Sequence, residues 1–173
     1  MMRKRLIMNI DIFIVSCNKK HVLRSMLELC LHDLSEFDDE YTSLELNEAG
    51  LYGYNYLDYY WNEEGRFPYL LSIDGKLAGF SLIKTVEGDS LTFEVAEFFI
   101  LRKYRKMGIG KELINRMFSL HKGNWTIDTA IKNTVAQNFW RNAVKSNAIG
   151  EFEETLIENG RRMMWTFKNC ECI

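Results

Sequence analysis

Proline is almost absent from this 173-residue chain: Pro68 is the only one, and no glycine- or serine-rich tract marks a linker. At on the order of 100–200 residues per domain, a single domain over 9–173 is expected, with 1–8 as a basic N-terminal extension. No run reaches the roughly 18 apolar residues of a membrane span. Asn9 and Asp11 interrupt the apolar stretch after the basic start, which also excludes a secretory signal. A cytoplasmic protein with no membrane contact is expected. An excess of one charge is lacking too: 22 Lys+Arg against 24 Asp+Glu leave −2, which excludes a broad electrostatic grip on nucleic acid. The four cysteines form no CxxC pair and meet no histidine cluster, so no metal site is expected. Cys17 and Cys30 are expected as core thiols.

What is present is a clear order of elements. Ile10, Ile12 and Ile14 alternate as in a strand. Val22, Leu23, Met26, Leu27, Cys30 and Leu31 then recur at helical spacing, with Asn18 as a plausible cap. A polar, aromatic stretch from Asp33 to Gly65 reads as a second helix plus loops. Hairpin signals follow at Asp74-Gly75, Gly88-Asp89 and Asn159-Gly160. Between the last two lie a helix with the stripe Ile109, Leu113, Ile114 and Met117, a strand from Trp125 to Ala130, and a helix with the stripe Val135, Ala136, Phe139, Trp140, Ala143 and Val144. Thr134 and Gln137 have capping-box spacing at the start of that helix. The order is β-α-(α)-β-β-β-α-β-α-β-β. The last strand is expected at an exposed edge, where a second copy could pair to make a homodimer.

The informative stretch is Phe98-Phe99-Ile100-Leu101-Arg102-Lys103-Tyr104-Arg105-Lys106-Met107-Gly108-Ile109-Gly110-Lys111. An apolar strand runs into a basic, glycine-containing turn and directly into a helix. The first turn of a helix presents unpaired N–H groups and a positive dipole end, which suits a pyrophosphate. GxxxxGK[ST] and GxGxxG are both missing, since residue 113 is Leu. Taken alone, the glycine pair serves an ordinary turn equally well.

Arg105-Lys106-Met107-Gly108-Ile109-Gly110 and Asn133-Thr134-Val135-Ala136-Gln137-Asn138-Phe139-Trp140 together resemble the two signatures of the GNAT N-acetyltransferase superfamily, over 9–168. Asp33-Leu34-Ser35-Glu36-Phe37 and Gly50-Leu51-Tyr52-Gly53-Tyr54 are similar to a bacterial subgroup of it. The resemblance implies an α/β (α+β type) GNAT acyl-CoA N-acyltransferase fold. Its sheet is mixed, mostly antiparallel and six- to seven-stranded, flanked by about four helices. It implies acetyl-CoA as co-substrate, held in a gap between splayed strands. Phe99, Ile100 and Leu101 would offer backbone groups, and the N–H groups of Arg105, Lys106, Met107, Gly108, Ile109, Gly110 and Lys111 would hold the pyrophosphate. Lys103, Arg105, Lys106 and Lys111 would add charge, while Asn133, Ala136, Phe139 and Trp140 complete the cofactor wall.

An amine of pKa near 10.4 is only about 0.1% neutral at pH 7, so a base is needed. Glu97 is the first candidate and Glu94 the second; in a regular strand they face opposite sides, unless a bulge intervenes. Many relatives carry a tyrosine acid where Trp140 stands here, and an indole donates only its N–H. A module that binds CoA with weak turnover, or one that transfers another acyl group, stays open. Met26 to Gly65 holds eleven acids, eight aromatics and neither Lys nor Arg. With Asp33, Glu36, Tyr52 and Tyr54 as acceptor contacts, a cationic small-molecule or peptide amine is expected.

Overall fold

The computed structural model describes residues 8–37 and 43–171. Seven strands form one sheet in the order β1-β2-β3-β4-β5-β7-β6. The strands are β1 (Ile10–Ile14), β2 (Arg66–Ile73), β3 (Lys76–Val86), β4 (Asp89–Ile100), β5 (Asn124–Ala130), β6 (Glu153–Ile157) and β7 (Arg162–Lys168). Helix α1 (Lys20–Leu34) follows β1, the single turn α2 (Tyr59–Asn62) precedes β2, α3 (Ile109–Leu120) follows β4, and α4 (Thr134–Asn147) follows β5. All pairings are antiparallel except β4–β5, which is parallel.

The turns carry out what their residues dictate. Asp74 and Gly75 both take positive φ (49° and 73°), the twist a two-residue hairpin needs, and join β2 to β3. The sheet divides two cores. Ile83, Val95, Trp125 and Ile127 pack under α3 and α4, whose Leu113, Ile114, Met117 and Val144 are all fully buried. On the opposite face Leu70, Phe80, Leu82 and Phe99 pack under Leu23, Leu27 and Cys30 of α1 and Tyr60 of α2. That second set covers β1–β4, while α3 and α4 lie on the other side.

Five expectations are corrected. The last strand is not an edge: β7 inserts between β5 and β6, pairing with both, so β6 takes the rim. Asn18 sits in a 3-10 turn, Cys17–Lys19, where its Oδ1 accepts from the Ser16 hydroxyl (2.5 Å) and caps no helix. Cys17 is exposed; only Cys30 is a core thiol. At α4 the cap is Asn133, whose Oδ1 accepts the Ala136 N–H (3.0 Å), while Gln137 Nε2 donates back to the Ile131 carbonyl (2.6 Å). In the first turn of that helix Val135 is 78% exposed and lies outside the apolar stripe. No helix among the described residues is long and apolar enough to cross a membrane.

Candidate active site

Strands β4 and β5 pair through three positions only, Thr92–Asn124, Phe93–Trp125 and Glu94–Thr126. Beyond them β4 continues to Ile100 and β5 to Ala130 with no further rung among the described residues, so the sheet opens into a wedge. Peptide groups along the wedge have lost their ladder partners, and buried backbone polar groups require partners from somewhere.

A bulge sits on the same length of β4. Leu82 faces Glu97 and Ile83 faces Val95, so Ala96 is the extra residue. It reverses the parity of the strand. Glu94 pairs with Lys84 and Glu97 with Leu82, and residues 82 and 84 share a face of β3. Glu94 and Glu97 therefore stand on one face, together with Phe99. The register of β5 and β7 adds Thr126, Asp128 and Arg162 to it.

Glu97 is half-buried, and no hydrogen bond or ion pair of its carboxyl is found among the described residues. Burial pushes its pKa up to about 7, against the pull of Arg162 and with further help from Asp128 and Glu94. Tyr54 is partly buried nearby, and burial followed by the Glu97 charge raises its phenol far above the ordinary range. Tyr60 Oη is buried close to Arg66, whose guanidinium carbon lies 5.6 Å from the Tyr60 ring centre. Lys84 Nζ pairs with Glu94 at 3.1 Å.

The turn after β4 forms the other end of the site. Lys106 (φ 60°) and Gly108 (φ 82°) take left-handed conformations, an alternation that turns successive N–H groups into a concavity. The first backbone bond of α3 runs from the Glu112 N–H to the Gly108 carbonyl (3.1 Å). The amides of Ile109, Gly110 and Lys111 thus have no partner inside the helix. A Cβ on Gly110 would come within 3.3 Å of Phe139 Cε2, so glycine here lets α3 lie close to α4.

Several expected contacts are engaged elsewhere. The Arg105 N–H donates to the Arg102 carbonyl (3.2 Å), its Nε to the Ile100 carbonyl (2.7 Å), and its Nη2 to Asp33. The cradle of amides therefore begins at Lys106. The Leu101 N–H donates to Ala78 (2.9 Å), which with the Arg105 bond occupies two of the backbone groups expected at Ile100 and Leu101. Asp33 also accepts from Arg102 Nε (3.1 Å), so it ties α1 to the turn instead of facing an acceptor. The Tyr52 N–H donates to Glu28 (2.7 Å) and its hydroxyl lies 3.2 Å from His32 Nδ1, while Glu36 is exposed in a 3-10 turn. Trp140 is buried between Phe98 and Phe139, at ring distances of 5.1 and 4.8 Å, as a core residue.

Asp128, Arg162 and Arg66 escaped sequence analysis. Only the alternation of β5 could have flagged Asp128; the others need the sheet order.

The acetyltransferase (GNAT) family model matches residues 30–143, and the chain belongs to that family. It is an acyltransferase of the GNAT fold. An acetyltransferase from Thermus thermophilus superposes with a TM-score of 0.68 at 12% identity, covering 92% of this chain and 96% of that one. The PaiA N-acetyltransferase of Thermoplasma acidophilum, solved with coenzyme A, gives 0.66 at 14% identity, covering 92% and 99%. The ribosomal-protein-S18-alanine N-acetyltransferase of Escherichia coli gives 0.63 at 12%, covering 95% and 99%. Comparison with curated protein sequences yields no significant match.

Proposed function

We propose that the chain moves the acetyl group of acetyl-CoA to the primary amine of a small molecule that arrives as a cation, by direct attack in a ternary complex. One observation carries this: the wedge between β4 and β5 is bounded by the Lys106–Lys111 amides and, three residues before the end of β4, by the unpaired Glu97 carboxyl.

The residues fit such a co-substrate. The amides of Ile109, Gly110 and Lys111 and the left-handed turn before them suit a diphosphate, and Lys106 and Lys111 are exposed beside them. The unpaired edges of β4 and β5 suit an amide-bearing arm. The thioester supplies an activated acyl carbon.

Glu97 faces the acceptor side with a carboxyl poised near neutrality, where a general base works best. An incoming ammonium gives one proton to Glu97, directly or through water, and becomes nucleophilic. Its nitrogen forms the new C–N bond as the C–S bond breaks. The nitrogen then loses its second proton, and the departing thiolate gains one to become the thiol. One proton leaves to solvent in net. Trp140, enclosed in the core, plays no acid role; a thiolate whose conjugate acid has a pKa near 8.5 departs without one.

Thermal shift with CoA against ATP, followed by thiol release from acetyl-CoA over an amine panel, tests this. Stabilisation by CoA alone and turnover of alkylamines are expected. No stabilisation by CoA, or arylamines (uncharged at neutral pH) outpacing alkylamines, would overturn it.

A further inference from the structure

Several acids of the stretch that the sequence places before β2 are engaged by the protein itself. Glu28 accepts the Tyr52 and Gly53 amides, Asp33 binds Arg102 and Arg105, Asp58 binds Lys20, and Glu63 binds Arg66. On the sheet face Glu94 is paired with Lys84, and Asp128 accepts from Arg162 Nε. Glu97, between them, has no ion pair among the described residues.

A guanidinium faces it. Arg162 opens β7 opposite Ala130, on the far bank of the wedge and on the same sheet face as Glu97. Asp128 engages its Nε, and no hydrogen bond from Nη1 or Nη2 is found among the described residues, although the side chain is 31% exposed. Among the charged groups Arg162 acts most strongly on Glu97, yet no ion pair joins the two. An unpaired carboxyl and a guanidinium whose Nη edge makes no hydrogen bond, on opposite banks of the wedge, are complementary to a molecule carrying both charges.

We infer that the acceptor is a free amino acid, its carboxylate taken by Arg162 and its amine presented to Glu97. This rests on the transferase function proposed above: the amine still arrives as an ammonium, but on a molecule that also carries a carboxylate and so has no net charge. A polyamine would bring a second cation against Arg162, which like-charge repulsion opposes. A guanidinium edge matches a carboxylate in plane with two parallel N–H bonds.

The test is acetyl-CoA turnover with common amino acids, each beside its carboxamide and its decarboxylated amine, and with spermidine. The acids should exceed their amides at least tenfold in kcat/KM, mainly through KM. Arg162→Met should erase that ratio, and Arg162→Lys should keep part of it. Asp128→Asn, which leaves the guanidinium in place, should preserve it; this variant guards against loss of fold in the others. Amides or spermidine used as well as acids, or a preference that survives Arg162→Met, overturns the inference alone. No amine turned over by protein that still binds CoA overturns the transferase function, and the inference with it.

Discussion

Glu94 and Glu97 share one face of β4 although three positions separate them, because Ala96 bulges from the ladder opposite Leu82 and Ile83. The two carboxyls then part in chemistry. Glu94 forms an ion pair with Lys84 at 3.1 Å, whereas burial lifts Glu97 to about 7. Environments that drive like groups apart point to different roles, which supports the proposal of Glu97 as the base.

Replacing Glu97 by Gln should lower kcat by about 10²–10⁴-fold, the usual worth of a positioned base. The wild-type log kcat should bend near pH 7, where Glu97 ionises, and the variant should lose that bend. A bend that persists in Glu97→Gln would assign the base elsewhere.

The same carboxyl has a signature in stability. Its folded pKa of about 7 lies above the ordinary range near 4.3, so between those values the folded protein keeps a proton that the unfolded chain releases. Stability therefore falls as pH rises through that window, by up to about 3 kcal/mol, and is highest below it. Urea unfolding at pH 4 and pH 8 should show Glu97→Gln matching wild type at the lower pH and exceeding it at the higher.

Gly108 and Gly110 serve different physical needs. Around Gly108 nothing lies within 4 Å of a would-be Cβ, and only its φ of 82° demands glycine. Gly108→Ala should cost about 1–2 kcal/mol or reshape the turn, weakening CoA in calorimetry, and Gly108→Asn should bind better than Ala. Gly110→Val should fail for a steric reason, since its side chain meets Phe139.

Asp33 pins the turn. Burial raises its pKa, but hydrogen bonds from Arg102 and Arg105 outweigh that and leave it below the usual carboxylate range. Asp33→Ala should weaken CoA binding severalfold by calorimetry while leaving the far-ultraviolet dichroism unchanged. A CoA affinity equal to wild type would show that the Arg105 bond to the Ile100 carbonyl suffices alone.

Loss of the α4 cap gives a simpler outcome. Asn133→Ala removes the acceptor for the Ala136 N–H and should cost about 1 kcal/mol in urea unfolding, with Asn133→Ser restoring most of it.

Local chemistry was legible in the chain itself. Asp74-Gly75 determined a hairpin, the 3.6-residue stripes determined α1, α3 and α4, and Arg105 to Lys111 determined a tight turn into α3, because each depends on neighbours a few bonds away. The acidity of Met26 to Gly65 could not be weighed that way: its partners Lys20, Arg66, Arg102 and Arg105 lie outside the segment, and only folding brings them to Asp58, Glu63 and Asp33. Tertiary structure alone decided that Glu97 shares a face with Glu94 and looks across a cleft at Arg162. Side-chain direction in a strand has a period of two, so one bulged residue inverts it, and the insertion of β7 beside β5 is a pairing choice that no local pattern encodes.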